Sequence, residues 1–181
     1  MPDRLVTVSK FLALHLRHAP ERIGLVLDEA GWVDVEELLR AAAAAGFPIT
    51  REELDVAVAE PVKRRYAYDA SRTRVRAVQG HSVQVALGYE PSAPPAELFH
   101  GTVERFVARI LSEGLRPMER QHVHLSPDVA TAETVGMRRG KPVILRVDAG
   151  AMGADGAEFF RADNGVWLVA AVPPSALSLM P

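Results

Sequence analysis

The chemistry available to this chain rests on arginine and histidine. Four short stretches carry it: Leu16-Arg17-His18, Gln79-Gly80-His81-Ser82, Phe99-His100-Gly101-Thr102 and His122-Val123-His124. Arg17 is a fixed cation whose planar fork suits phosphate, and the adjoining His18 can donate to a phosphate oxygen or carry a proton near neutral pH. A helix dipole favours the same pair at its C-terminus with no function required. Read without function, Gln79–Ser82 is a polar turn closing a basic segment. His100 ends an apolar run and precedes a glycine, where a flat ligand can approach bare backbone. The plain alternative is a hydrogen-bonded core histidine before a loop. His122 and His124 fall on one face of an alternating strand, a spacing that can chelate a metal. No carboxylate lies close by in sequence, so an inward, hydrogen-bonded histidine is the simpler reading and no metal site is expected.

Other chemistries find no support. There is no Walker-A loop and no glycine-rich dinucleotide fingerprint. A Gly-x-Ser-x-Gly elbow, a His-Glu-x-x-His pair and paired carboxylates at a hydrolase spacing are also missing. Zero cysteines exclude a disulfide scaffold, thiolate catalysis and cysteine-ligated zinc. The 181 residues suffice for one domain or two small ones, and 48% hydrophobic with 24% charged is ordinary globular usage. With 21 basic residues against 23 acidic the net charge is −2, which excludes a polybasic coat protein but not a local basic site. Only Lys10, Lys63 and Lys141 are lysines, so the other basic residues are arginines. Coding bias explains this as readily as a need for bidentate phosphate contacts. Position says more: between Pro61 and Ser82, Lys63, Arg64, Arg65, Arg72, Arg74 and Arg76 face the single acid Asp69. No apolar stretch approaches the ~20 residues of a spanning helix. Met1-Pro2-Asp3-Arg4 opens no secretion signal. A soluble, cytoplasmic monomer with no membrane partner is the expectation.

Periodicity supplies the elements that must hold these residues. Leu5, Val8, Leu12 and Leu16 recur at helical spacing over roughly 5–17, which places Arg17 and His18 at a helix end. Asp34 with Glu37, and Thr50 with Glu53, have the spacing of capping boxes, predicting helices that end near Gly46 and Ala59. Arg65–Tyr68 and Arg74–Val78 alternate with period two around Asp69–Arg72, predicting a basic hairpin. Three helices followed by a basic hairpin look like a winged helix, a common nucleic-acid-binding arrangement. Three prolines within 91–95 predict an extended connector over 89–95, dividing an N-terminal lobe (1–88) from a C-terminal lobe (96–181). The second lobe reads as strand-rich: Leu98–His100, His122–Leu125, Pro142–Val147, Phe159–Arg161 and Val166–Val169, with helices over Val103–Glu113 and Pro127–Gly136. Arg138 and Arg139, between Gly136 and Gly140, fall on a turn.

The chain resembles the RNA 2′-phosphotransferase family. The resemblance rests on Ser9-Lys10-Phe11-Leu12, Leu16-Arg17-His18, Gly31-Trp32-Val33, Lys63-Arg64-Arg65-Tyr66 and Val75-Arg76-Ala77-Val78-Gln79-Gly80-His81-Ser82. It continues through Leu98-Phe99-His100-Gly101-Thr102, His122-Val123-His124-Leu125-Ser126, Val135-Gly136-Met137-Arg138-Arg139-Gly140, Asn164-Gly165-Val166-Trp167-Leu168 and Val172-Pro173-Pro174. These motifs keep the family's order over nearly the whole length. The resemblance implies an α+β protein: a winged-helix-like N-terminal lobe for RNA and a β-rich C-terminal lobe of the ADP-ribosyltransferase fold for NAD.

It also implies roles. Arg17, His18, Arg65 and Arg138 fall on the family's catalytic Arg-His-Arg-Arg set, with Arg64 and Arg139 the competing assignments for the last two. His100, Gly101, Thr102, His124, Ser126, Arg139 and Asn164 fall on the NAD side, and Lys63, Arg64, Arg76 and His81 on the RNA side. NAD is consumed as co-substrate and no metal takes part. The implied reaction begins with attack of an internal RNA 2′-phosphate on the anomeric carbon of the nicotinamide ribose, expelling nicotinamide. The ribose 2″-hydroxyl then attacks phosphorus, freeing the RNA 2′-hydroxyl and ADP-ribose 1″,2″-cyclic phosphate. Arginines suit both steps, since they bind a dianion without protonating it and neutralise charge on its oxygens. The region Asn164–Leu168 lacks the glutamate that protein-modifying relatives of this fold use, which argues against protein modification. Two alternatives accompany this reading: ADP-ribosylation of nucleic-acid ends, and a winged-helix regulator without catalysis.

Overall fold

A computed structural model describes residues 2–60 and 64–180; Lys63, one of the expected RNA contacts, lies outside them. The chain divides into two compact units, Met1–Gly88 and Tyr89–Pro181. Each builds its own core.

In the first unit, α1 (Pro2–Arg17) buries Val8, Leu12 and Leu16 completely, a stripe at four-residue spacing that fixes which face meets the core. Leu5, expected on that stripe, sits at its margin and is 37% exposed. A short strand β1 (Val33–Asp34) leads into α2 (Val35–Ala44), whose first turn is capped by the Asp34 carboxylate accepting the Glu37 amide. Thr50 and Glu53 cap α3 (Arg51–Ala59) reciprocally. Then β2 (Tyr66–Tyr68) and β3 (Arg74–Ala77) form the expected hairpin. The sheet has three strands, because β1 pairs antiparallel with the outer edge of β3 to give the order β1-β3-β2. Two residues are too few for β1 to declare itself by alternation.

The second unit holds two three-stranded antiparallel sheets. One has the order β4 (Glu97–Val103), β6 (Pro142–Asp148), β9 (Leu177–Leu179); the other has β5 (Val123–Leu125), β8 (Trp167–Val169), β7 (Phe159–Arg161). They are stitched by one reciprocal pair: the Phe99 amide donates to the Ser126 carbonyl at 2.9 Å and the Ser126 amide to the Phe99 carbonyl at 2.7 Å. Helices α4 (Glu104–Glu113), α5 (Val129–Gly136) and α6 (Ala149–Ala154) flank them, and α5 runs directly into a single 3-10 turn, Met137–Arg139. Neither α6 nor β9 was expected. The Ala-Gly-Ala-Met-Gly-Ala sequence of α6 has too little contrast between its faces to show a helical period. The proline-rich stretch is not a loose tether: Pro91 bridges Phe160, and the Ser92 amide donates to the Phe159 carbonyl at 2.8 Å. The protein is α+β with small antiparallel sheets. Among the described residues no helix is long and apolar enough to cross a membrane.

Candidate active site

In the first unit the fold ties Arg17, His18 and Arg65 into one assembly. Tyr66 anchors it. Its buried hydroxyl donates to the Ser9 carbonyl of α1 at 2.6 Å, and burial raises its pKa, so it stays a neutral phenol. This docks the start of β2 across α1. The Arg65 guanidinium then donates to the Ser9 hydroxyl at 3.0 Å, and Arg17 donates to the Arg65 carbonyl at 3.3 Å with its guanidinium 5.9 Å from the Tyr66 ring centre. The turn after β3 closes round from the other side. Gly80 holds φ +88, and a β-carbon there would lie 3.4 Å from the Arg17 guanidinium. The Ser82 and Val83 amides donate to the Arg17 carbonyl at 2.8 and 3.3 Å, satisfying an acceptor left over at the end of α1. The Ser82 hydroxyl meets His18 Nδ1 at 3.0 Å. Ser9 and Ser82 went unassigned as site residues in the sequence, although both lie inside the motifs that carry the resemblance.

The expected RNA contacts are not all on the surface. Arg64 is exposed. Arg76 is largely spent on structure: it donates to the Ala30 and Leu87 carbonyls at 3.3 and 3.0 Å and stacks 4.5 Å over Trp32. His81 is 2% exposed, so its place is beneath the site. Among the described residues neither of its ring nitrogens has a hydrogen-bond partner. Burial, reinforced by Arg17, His18 and Arg76, pushes its pKa down to about 4. Two arginines of the basic run face acids, and sequence distance hides two of these, Asp28 and Asp55. Arg72 pairs with Asp55 at 3.1 Å, and Arg74 lies 3.4 Å from both Asp28 and Asp69.

The second unit assembles a different group of residues. His100 donates from Nδ1 to the His124 carbonyl at 3.2 Å, which fixes its ring. Burial lowers its pKa and nearby Arg139 lowers it further, against the pull of that hydrogen bond. Thr102 and Ser126 are buried. Gly101 corrects the sequence reading. Its missing side chain makes room for a helix, not a ligand: a β-carbon there would fall 1.8 Å from the Ala132 carbonyl of α5. What Gly101 offers instead is its edge. Phe99 spends its amide and carbonyl on Ser126, so alternation turns those of Gly101 the same way, away from β6. Ile144, opposite Gly101 in the register, accordingly gives its carbonyl to the Met180 amide at 3.0 Å.

Arg138 and Arg139 sit exposed on the turn after α5. Arg120, unassigned in the sequence, joins them. Its guanidinium meets His124 Nδ1 at 3.4 Å, and its pKa is lowered first by partial desolvation and then by Arg139 and Arg138. The segment leading to it, with Met118 at φ +58, has no regular period to mark it. Asn164 is a turn residue: its side-chain carbonyl accepts the Val166 amide at 3.2 Å between β7 and β8. His122 packs edge-on against Phe160 with ring centres 5.7 Å apart. Among the described residues no group of three or more His, Asp or Glu side chains is placed to hold a metal ion.

Arginine and histidine gathered round a fixed frame in each unit of this α+β protein are groups suited to binding phosphate. Comparison with known proteins narrows this. The sequence model of the "RNA 2′-phosphotransferase, Tpt1 / KptA family" matches residues 3–171. A protein of Streptomyces griseus described as a probable RNA 2′-phosphotransferase is 57% identical over 183 residues, covering 97% of both chains. One of Agrobacterium fabrum, described in the same words, is 58% identical over 171 residues, 94% of this chain and 92% of its own. Another of Trichormus variabilis is 53% identical over 177 residues, 98% of this chain and 97% of its own. The chain belongs to the RNA 2′-phosphotransferase family.

Proposed function

We propose that this protein removes an internal 2′-phosphate from RNA, with NAD consumed as co-substrate. The family and the names of its relatives support the RNA 2′-phosphate as substrate. The observation that carries the reading is the assembly of Arg17, His18 and Arg65 round the end of α1 and the start of β2. Two guanidinium groups held by Ser9, the Arg65 carbonyl and Gly80 form a preorganised receptor for a phosphate dianion. The element order α1-β1-α2-α3-β2-β3, with the sheet ordered β1-β3-β2, supports a winged-helix-like unit bearing it.

NAD fits the second unit. The outward amide and carbonyl of Gly101 match the acceptor and donor of a carboxamide, and His100 is locked alongside. The two antiparallel sheets support an ADP-ribosyltransferase-like unit. When bound, NAD supplies an anomeric carbon with a good leaving group. Arg17 and Arg65 hold the RNA phosphate ionised while its oxygen bonds to that carbon and nicotinamide departs with the electron pair. The ribose 2″-hydroxyl then gives up its proton as it displaces the RNA 2′-oxygen at phosphorus, and the departing oxygen takes up a proton. His18 is the titratable member of the first assembly and is assigned that transfer. Arg120, Arg138 and Arg139 neutralise charge on the phosphates of the co-substrate. Both NAD and RNA are substrates, a monomer suffices, and the protein works in the cytoplasm.

The test is incubation with NAD and a short RNA bearing one internal 2′-phosphate, with separation of all products. Dephosphorylated RNA, nicotinamide and ADP-ribose 1″,2″-cyclic phosphate in equal amounts are expected. A stable ADP-ribosylated RNA would transfer support to the end-modifying reading, and RNA binding with no NAD consumed would support the regulator.

A further inference from the structure

We propose that Ser82 is a positioning residue for His18, fixing which ring nitrogen of the imidazole faces the reacting phosphate. The inference deepens the proposed reaction and rests on His18 acting in it. His18 follows directly on the last residue of α1. Its ring is held by a residue 64 positions later: Ser82 Oγ lies 3.0 Å from His18 Nδ1.

Ser82 is itself pinned by three features. Its amide donates to the Arg17 carbonyl at 2.8 Å, so its main chain is fastened to the residue just before His18. Gly80, at φ +88, lets the preceding turn lie against the Arg17 guanidinium; any side chain there would meet that group. His81, between them, is buried, with Nε2 beside Gly31, where a β-carbon would lie 3.5 Å from it. Gly80–Ser82 therefore touches the Arg17 guanidinium with one end and the His18 ring with the other. It holds the two groups as one unit.

The hydroxyl also selects a tautomer. Ser82 Oγ lies 3.5 Å from the Arg17 carbonyl, which can only accept. A hydroxyl that gives its single hydrogen to that carbonyl must accept from its other neighbour, so His18 carries its proton on Nδ1. Nδ1–H donates to Ser82 in both the neutral and the charged ring. Proton exchange during the reaction is then confined to Nε2. Arg17, His18 and Arg76 all bear on the charge of the neighbouring His81.

The experiment uses the full chain in three forms: wild type, Ser82→Ala and Ser82→Thr. Ring-nitrogen NMR, with His18 assigned by comparison with His18→Gln, reads the tautomer without any substrate. Wild type and Ser82→Thr should show neutral His18 protonated on Nδ1, whereas Ser82→Ala should show a mixture weighted to Nε2–H. In turnover with NAD and the 2′-phosphorylated RNA, Ser82→Ala should lose about tenfold in kcat with the KM for NAD little changed. The acidic limb of its pH–rate profile should also shift, and Ser82→Thr should recover most of the rate. An Nε2–H tautomer in the wild-type protein overturns the proposal even if every variant folds poorly. So does wild-type kcat and an unmoved pH profile in Ser82→Ala. A wild-type protein with the Nδ1–H tautomer but no 2′-phosphate removal instead rejects the proposed reaction while leaving the Ser82–His18 geometry in place.

Discussion

Acid should destabilise this protein through His81 in particular. The ring is almost wholly enclosed, lies near Arg17, His18 and Arg76, and has a pKa of about 4 in place of the usual 6.5. The folded state therefore keeps His81 neutral over a range in which the unfolded chain has already bound a proton. Stability from this residue is complete above pH 6.5, falls as pH drops towards 4, and changes no further below that. At 1.36 kcal/mol per pH unit, the whole interval is worth about 3 kcal/mol, a large share of a domain's total. Replacing the imidazole by a group that does not titrate, as in His81→Phe or His81→Gln, removes this slope whatever else it does to packing. Urea unfolding of the three proteins at pH 7.0, 5.5 and 4.5 measures it. The difference between wild type and each variant should move in the variant's favour by about 2 kcal/mol between the highest and lowest pH, the remainder lying below pH 4.5. Other groups titrating in the window, the depressed carboxylates of Glu53, Asp55 and Asp69 and the depressed imidazole of His100 among them, cancel in that difference. Parallel curves for wild type and both variants would mean that His81 is solvated in solution and that the enclosed ring is wrong.

Three further outcomes are expected. Arg17→Ala and Arg65→Ala should each lower turnover of 2′-phosphorylated RNA by at least about a hundredfold while leaving NAD binding within twofold by calorimetry; comparable loss of NAD affinity would contradict the division of labour. Arg120→Ala should cost at least as much activity as Arg138→Ala, since Arg120 is the guanidinium engaged with His124, and steady-state rates of the two variants side by side decide this. RNA binding should weaken only gently with salt. With Arg72 and Arg74 already facing carboxylates, the slope of log affinity against log salt should correspond to about three phosphates, and a slope near six would show that the hairpin arginines exchange partners on binding.

Local signals in the sequence are strong wherever side chains repeat or cap. The stripe Val8-Leu12-Leu16, the Asp34 and Thr50 caps and the alternation of Tyr66–Tyr68 against Arg74–Ala77 each fix their element with little help from the rest of the chain. The motifs likewise marked Arg17, His18, Arg65 and Arg138 as a set. What they do not contain is the partner at long range. The contacts of Ser9 with Arg65 and of Ser82 with His18 span 56 and 64 residues, and nothing in either serine's neighbours announces them. Counting charge along a window misled for the same reason, because Asp28 and Asp55 reach the hairpin from other elements. Gly101 was read as an opening for a ligand because a sequence cannot say on which side of a strand a helix will lie. Arg120 sits in irregular chain, where no periodicity directs attention to it.

The seat of α5 on Gly101 has a mechanical meaning. Main chain rests on main chain there, with no side chain between to rotate and take up slack, and the helix passes without a break into the turn that carries Arg138 and Arg139. A small displacement of β4 is thus handed on to those arginines almost rigidly, as through a short lever. Compounds designed to press on the open edge of this strand would be felt at the cationic turn as well, and resistance by enlarging residue 101 is closed off, because even one added methyl has nowhere to go.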